Sequence, residues 1–196
     1  MGSGCYDWGN RVHFVVKHLY DIDNNGYLDS HDFECLALRQ TLVEGKGEFS
    51  RDRHERNLDI MLGLWNEIAD LADFNKDGHV TVEEFKQAVQ NLCVGKTFEQ
   101  FPQPLKHAIN CKYATADANG DGLLSLDEFR LECISRQAIR DLDEIDDSYQ
   151  RLITDEDRKR GGITLSRYQE LFAEFLGCPD VSGQGIFLFG PLPDYA

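Results

Sequence analysis

The chain has 196 residues, which is long enough for one compact domain or two small halves with buried cores. Asp and Glu outnumber Lys and Arg 35 to 20, and the formal charge of -15 repels nucleic acid and anionic membranes. No apolar run approaches the roughly 18 residues of a membrane-spanning helix, and the first residues match neither a signal peptide nor a myristoylation pattern. We therefore expect a cytoplasmic protein with no nucleic-acid or membrane partner.

The six cysteines form no CxxC pair, which is typical of reduced thiols in a protein without an export signal. His107 and Cys111 are four residues apart and could share a helix face as half of a zinc site. The sequence shows no second half, so zinc binding is not the expected function.

In chain order, the first predicted helix leads into an acidic segment, DIDNNGYLDSHD, at residues 21–32. The apolar stripes on either side have helical spacing: Val12, Val15, Val16 and Leu19 before it, and Phe33, Leu36 and Ala37 after it. The segment recurs as DFNKDGHVTVEE, residues 73–84, and as DANGDGLLSLDE, residues 117–128, again between helical stripes. Residues 156–167 are a fourth version, aligned by Gly161 with Gly26, Gly78 and Gly122.

This repetition predicts an all-α fold of four helix–loop–helix units, or EF-hands, in two pairs within a compact single globule. We call the segments 21–32, 73–84, 117–128 and 156–167 loops I, II, III and IV. Short β-ribbons between paired loops are the only strands expected. The predicted ribbon contacts come from the aliphatic residues at position 8 of each loop, namely Leu28, Val80, Leu124 and Ile163.

Loops II and III satisfy the full pattern of a calcium-binding loop. Calcium takes about six to eight oxygen ligands, which such a loop supplies from positions 1, 3, 5, 7, 9 and 12 around a glycine at position 6. In loop II the predicted ligands are Asp73, Asn75, Asp77, the carbonyl of His79, Thr81 and Glu84. In loop III they are Asp117, Asn119, Asp121, the carbonyl of Leu123, Ser125 and Glu128.

Loop I ends in an aspartate where glutamate is usual. Its predicted ligands are Asp21, Asp23, Asn25, the carbonyl of Tyr27, Asp29 and Asp32. Because Asp32 is one methylene shorter than glutamate, bidentate coordination is harder, and the smaller magnesium ion is favoured relative to calcium. Loop I is therefore predicted to bind both ions with a reduced preference for calcium.

Loop IV has lost its ligands. Glu156, Arg158, Arg160 and Arg167 occupy positions 1, 3, 5 and 12, so three cationic side chains stand where a dication would be held. We expect this loop to bind no metal and to survive as the packing partner of loop III. A further hypothesis is that Arg167 pairs with Asp155, Glu156 or Asp157 and closes the loop without a cation.

Gly95 and two prolines at 93–104 predict a joint between the pairs. The expected parts are residues 1–95 with loops I and II, residues 96–176 with loops III and IV, and an apolar tail, residues 177–196. The tail includes the run Ile186 to Phe189, which is expected to dock on the body of the protein.

With these loops, the chain resembles the invertebrate sarcoplasmic calcium-binding proteins, especially the arthropod form, over nearly its full length. The segments that carry the resemblance include NRVHFVVKHLYDID, LWNEIADLADFNKDG, EIDDSYQRLITDEDRKRGG and FLFGPL. The resemblance implies a muscle-cytosol buffer with three calcium sites at which magnesium competes, and a possible homodimer. Asp32 is also in keeping with this family.

Two alternatives stay open. A calcium sensor would expose a Met-rich groove, but the chain has only Met1 and Met61. A luciferin-binding protein or calcium-triggered photoprotein of the same architecture resembles this chain, but photoproteins have lost the second loop and line a cavity with several aromatic residues, whereas Trp8 and Trp65 are the only tryptophans here. No nucleophile–base motif is visible, so we expect no enzyme.

Overall fold

The computed structural model describes residues 3–136, 139 and 141–195. The α-helices in this part are α1 Trp8–Val15, α2 Ser30–Glu44, α3 Arg51–Ala72, α4 Val82–Leu92, α5 Gln103–Ala116, α6 Leu126–Arg136, α7 Leu142–Leu152, α8 Asp155–Arg160 and α9 Leu165–Gly177. A π-helical turn, Val16–Tyr20, continues α1, and short 3-10 turns lie at Ser3–Tyr6, Phe98–Gln100 and Gln184–Phe187. The strands are β1 Tyr27–Leu28, β2 Val80–Thr81, β3 Leu123–Leu124 and β4 Ile163–Thr164.

The four strands form two antiparallel ribbons, β1 with β2 and β3 with β4. Leu28 lies opposite Val80, and Leu124 lies opposite Ile163. All four side chains are buried. The all-α EF-hand fold, the pairing of loop I with loop II and of loop III with loop IV, and the position-8 contacts are therefore confirmed.

The contacts divide the chain into two compact units, of which one is residues 15–88. Here α2 packs against α3, and the ring of Phe33 lies 5.4 Å from Trp65 and 5.9 Å from Tyr20 between centroids. Asn57 is buried in α3, but its amide donates to Thr41 Oγ1 at 3.2 Å, so this buried polar group is satisfied. The aromatic cluster and this hydrogen bond fix the hand that contains loop I.

The other unit holds the described residues of 1–14 and 89–195. Its core contains Phe189 of the tail, whose ring centroid lies 4.9 Å from Phe175 and 5.5 Å from both Phe14 and Phe172. Ile186 and Leu188 are also buried. The apolar run in the tail thus supplies part of the core of this unit, as its composition favours.

Arg11 connects α1 to the end of α9 within the same unit. The side chain is fully buried and donates to the carbonyls of Phe175 at 2.8 Å and Cys178 at 2.6 Å. The last turn of a helix leaves its carbonyls without intrahelical partners, so a buried guanidinium with several donors is well suited to this position.

The predicted parts 1–95, 96–176 and 177–196 stay a prediction. The grouping by contacts differs from them because residues before 15 belong with the second pair of hands. None of the described helices combines the length and hydropathy that crossing a bilayer requires.

Candidate metal centre

Loops I, II and III share one backbone conformation. Positions 4 and 6 adopt the left-handed region in each: Asn24 and Gly26 in loop I, Lys76 and Gly78 in loop II, and Gly120 and Gly122 in loop III. Their φ angles lie between 58° and 94°. Glycine tolerates this region without steric cost, which explains the glycine at position 6 of every loop.

The same hydrogen bonds organise the side chains of the three loops. The carboxylate at position 1 accepts the N–H of position 6, at 3.2 Å for Asp21 and Gly26, 3.0 Å for Asp73 and Gly78, and 2.9 Å for Asp117 and Gly122. The side-chain oxygen at position 3 accepts the N–H of position 5, at 3.0 Å for Asp23 and Asn25, 2.9 Å for Asn75 and Asp77, and 2.7 Å for Asn119 and Asp121. Backbone donors therefore hold these side-chain oxygens in place.

Position 5 follows the same rule, since its side-chain oxygen accepts the N–H of position 7. The distances are 3.1 Å for Asn25 and Tyr27, 2.9 Å for Asp77 and His79, and 2.9 Å for Asp121 and Leu123. This bond anchors the residue whose carbonyl is the predicted ligand at position 7. Because these bonds connect neighbours in sequence, the residue types at positions 1, 3, 5 and 6 are sufficient to form them.

The carboxylate at position 12 closes each loop. It accepts the N–H of position 9 at 3.0 Å from Asp29 to Asp32, 3.0 Å from Thr81 to Glu84, and 2.9 Å from Ser125 to Glu128. The hydroxyls of Thr81 and Ser125 also donate to their glutamates, at 2.8 and 2.7 Å. Position 9 therefore holds the carboxylate of position 12 in addition to its predicted place in the metal shell.

Asp32, despite its short side chain, is buried inside loop I close to the other carboxylates. It is 1% exposed, and its Oδ1 accepts the N–H of Ile22 at 2.8 Å across the loop. Among the described His, Cys, Asp and Glu residues, Asp21, Asp23 and Asp32 are the one group of three whose ligand atoms all lie within 4.8 Å of one another. Loop I is therefore the most tightly gathered of the three carboxylate sets.

This crowding changes the acidity of loop I. Burial raises the pKa of Asp21 and of Asp32 above the usual value of an aspartate, and the charge of Asp23 acts in the same direction. Hydrogen bonds from backbone N–H groups, such as those of Gly26 and Asp29, oppose the rise. A bound dication would relieve the repulsion between these carboxylates.

The predicted ligands form an all-oxygen set in each loop. Carboxylates, amide oxygens and backbone carbonyls suit hard cations such as calcium and magnesium, and lack the sulfur or nitrogen that softer ions prefer. The chemistry of these residues therefore fits the cations that the sequence predicts.

Two functional contacts outside the loops were missed from the sequence. The hydroxyl of Tyr113 lies 2.6 Å from the carbonyl oxygen of Gly122 and 3.0 Å from that of Ile163, and its one proton is shared between them, while the hydroxyl of Tyr149 donates to the carbonyl of Leu124 at 3.0 Å. Burial raises the pKa of both phenols to about 12. The signal available in the sequence was a tyrosine one helical turn before Asp117, where it can reach back over the loop.

Loop IV does not have the conformation of the other three. Residues 155–160 form α8, which begins with a capping box between Thr154 and the buried Asp157 and ends at Gly161, φ 98°. Arg158 pairs with Asp155 at 2.8 Å on the helix surface. The expectation that Arg158 and Arg160, at positions 3 and 5, occupy the place of a dication is therefore wrong, because both residues lie in α8.

Arg167 does approach one of its predicted partners. Its Nε lies 4.0 Å from Asp157 Oδ2, while its terminal nitrogens lie 3.0 Å from Glu170 Oε2 and 2.7 Å from Gln184 Oε1. The side chain at position 12 thus connects α9 to the tail and to the cap of α8.

Comparison with known proteins agrees with this geometry. Residues 65–133 match the EF-hand domain pair family. That match spans loops II and III, whereas in the structure these two loops belong to different ribbons. A family defined on sequence therefore recognises the two complete ligand patterns and not the pairing in space.

The chain is 60% identical over 190 residues to a sarcoplasmic calcium-binding protein of Scylla paramamosain, covering 97% of this chain and 98% of that one. Its fold is similar to that of a sarcoplasmic calcium-binding protein from amphioxus, with a TM-score of 0.78, 22% identity and coverage of 93% and 96% of the two chains. Calcium-loaded apo-aequorin from Aequorea victoria has a TM-score of 0.61 and 13% identity, covering 90% and 94%, and this likeness shows the fold alone. The chain belongs to the sarcoplasmic calcium-binding protein family, whose members bind calcium through EF-hands and are not enzymes.

Proposed function

We propose that this protein is a calcium and magnesium buffer that binds three divalent cations, one in each of loops I, II and III. The observation that carries the proposal is the common set of hydrogen bonds in these loops, which holds the ligand oxygens at positions 1, 3, 5 and 12. In loop IV a helix, α8, takes the place of that arrangement. The eighteen predicted ligand groups of loops I to III are the proposed metal ligands.

The tail supports buffering over sensing. A sensor responds to calcium by exposing an apolar groove to partner helices. Here Ile186, Leu188 and Phe189 are buried in their own unit, where they cover apolar surface of α9 and its neighbours. Calcium added to the magnesium form should therefore cause little increase in the fluorescence of an apolar-surface dye, whereas a large increase would favour a sensor.

Loop I is the proposed site of reduced calcium preference. Its carboxylates lie close together, and the short Asp32 is held by two backbone N–H groups. A small, tightly gathered shell suits magnesium, which requires shorter bonds and near-octahedral geometry. Magnesium bound before a calcium pulse would then have to leave, and its departure would limit the rate of calcium uptake.

We propose the sarcoplasm of invertebrate muscle as the place of action, since the relatives are named for it. The proposed partners are calcium and magnesium ions. A homodimer stays a prediction from the resemblance, to be tested by sedimentation equilibrium with and without calcium.

Isothermal titration with calcium, in the absence and presence of millimolar magnesium, tests the proposal. We expect three equivalents of calcium and one site class that magnesium weakens more than the others. Two or four equivalents would contradict it. Mixing with a coelenterazine-type luciferin and calcium should produce no light, and emission would favour the photoprotein alternative.

A further inference from the structure

Helix α5 carries a pair of metal-ligating side chains of a different kind from those in the loops. His107 and Cys111 are one helical turn apart on an exposed part of α5, and Cys111 Sγ lies 3.5 Å from His107 Nε2. Imidazole nitrogen and thiolate sulfur are ligands that zinc and softer ions prefer to oxygen. The pair is therefore chemically distinct from loops I to III.

The separation of the two atoms fits one shared ion. Zinc lies about 2.0–2.1 Å from imidazole nitrogen and about 2.3 Å from thiolate sulfur, so a tetrahedral angle puts nitrogen and sulfur about 3.5 Å apart. The observed 3.5 Å, which is also that of a sulfur–nitrogen hydrogen bond, matches this spacing, so both atoms can reach one ion by local side-chain rotation. The helix itself holds both groups, because residues four apart lie on one face.

A second pair of the same residue types offers an internal comparison. His31 and Cys35 are also four apart, on α2, but Cys35 Sγ lies 3.9 Å from His31 Nε2. The other ring nitrogen, His31 Nδ1, lies 3.5 Å from Glu34. The wider separation makes this pair the poorer fit for one shared ion, whereas the carboxylate on Nδ1 leaves Nε2 available as a ligand.

We propose that His107 and Cys111 form an accessory site for one thiophilic divalent cation of the zinc and cadmium class. The ion would take His107 Nε2 and the Cys111 thiolate, and water would complete its shell. Binding exchanges the thiol proton for the cation, so one proton is released to solvent for each ion bound. The protein would then carry hard ions in its loops and a soft ion on α5, each held by the ligands it prefers.

The test is a titration with cadmium while excess calcium saturates the loops, followed by the ultraviolet thiolate-to-cadmium charge-transfer band. We expect the band to saturate at one equivalent in the native protein, to be absent in Cys111→Ser and to be unchanged in Cys35→Ser. His107→Gln should weaken cadmium binding by at least about tenfold, since even groups that only orient a ligand contribute about 10–100-fold. Zinc should displace cadmium from the site, and excess magnesium should not.

Far-ultraviolet circular dichroism and calcium stoichiometry are the folding controls, and both should be the same in all variants. The proposal is overturned if the band persists in Cys111→Ser or disappears in Cys35→Ser. It is equally overturned if His107→Gln binds cadmium as tightly as the native protein, because a thiol acting alone would then account for the signal.

Discussion

Among single residues, Tyr113 makes the most specific contact that the sequence does not reveal. One hydroxyl serves the carbonyls of Gly122 and Ile163, and so joins loop III to the ribbon strand of loop IV. We expect Tyr113→Phe to lower the free energy of unfolding by about 1–2 kcal/mol, since the proton that the two carbonyls share is lost and both acceptors are left without that donor. Urea unfolding in saturating calcium measures this.

Tyr27→Phe is the matched control, because no hydrogen bond of the Tyr27 hydroxyl is found among the described residues. Its effect should stay within about 0.5 kcal/mol. Equal losses in the two variants would show that the bonds of Tyr113 contribute nothing specific to stability.

Asp32 determines the cation preference expected of loop I. Asp32→Glu should raise the ratio of calcium to magnesium affinity several-fold, because the longer carboxylate reaches bidentate coordination more easily. Glu128→Asp in loop III is the matched reverse change and should lower the same ratio. Calorimetric titration of each variant with both ions measures the two ratios, and an unchanged ratio in Asp32→Glu would contradict the assignment of loop I.

The buried thiols should be unreactive at neutral pH. Burial raises the pKa of Cys93 to about 12 and of Cys133 to about 11. At pH 8 the thiolate fractions are then about one in ten thousand and one in a thousand, and both side chains are also shielded from reagent. Short alkylation followed by peptide mass mapping should modify the four half-buried cysteines, Cys5, Cys35, Cys111 and Cys178, before Cys93 and Cys133.

The same shifts determine the sign of a pH effect. The folded protein keeps these thiol protons at a pH where the unfolded chain loses them, so the free energy of unfolding falls as pH rises above about 8.5. Cys93→Ala should reduce the slope of this decline. Rapid labelling of native Cys93 at pH 8 would contradict both expectations.

At the scale of elements, loop IV shows how a hand keeps its shape without an ion. Acidic residues begin α8 and basic residues end it, so their charges interact favourably with the helix dipole and stabilise the helix. Thr154 and Asp157 cap its first turn. These signals are local and visible in TDEDRKRGG. Aligning Gly161 with the glycines of the other loops numbers residues 156–160 as positions 1 to 5 of a calcium loop, although these residues favour a helix.

Arg167 should stabilise this element. Its side chain is 20% exposed and contacts Glu170, Gln184 and Asp157, so Arg167→Ala is expected to lower the free energy of unfolding by about 1–2 kcal/mol. Arg56→Ala is the control, because Arg56 has a 60% exposed side chain that pairs with Glu44 in a surface bridge of little value, within about 0.5 kcal/mol. Thermal unfolding of both variants measures the difference. An unchanged free energy of unfolding in Arg167→Ala would exclude the hypothesis that Arg167 holds loop IV closed.

At the scale of the whole molecule, net charge links cation binding to stability. Three dications would bring the formal charge from -15 to -9, and each site at 100-fold excess over Kd would add about 2.7 kcal/mol. Sodium chloride screens the repulsion that remains without them. We therefore expect salt to raise the Tm of the chelator-treated protein more than that of the calcium-saturated protein, measured by calorimetry. An equal rise in both forms would contradict this.

The sequence is sufficient to predict the four hands, the two complete loops, the altered loop I and the apolar contacts at position 8. These features depend on ligand spacing and helical periodicity, which neighbouring residues encode. The folded structure is needed to see that Arg11 binds the end of α9, that Tyr113 joins loop III to Ile163, and that Phe189 lies among Phe14, Phe172 and Phe175. Those contacts join residues between 14 and 175 positions apart by number, and no local pattern specifies which of many apolar or polar partners a folded chain brings together.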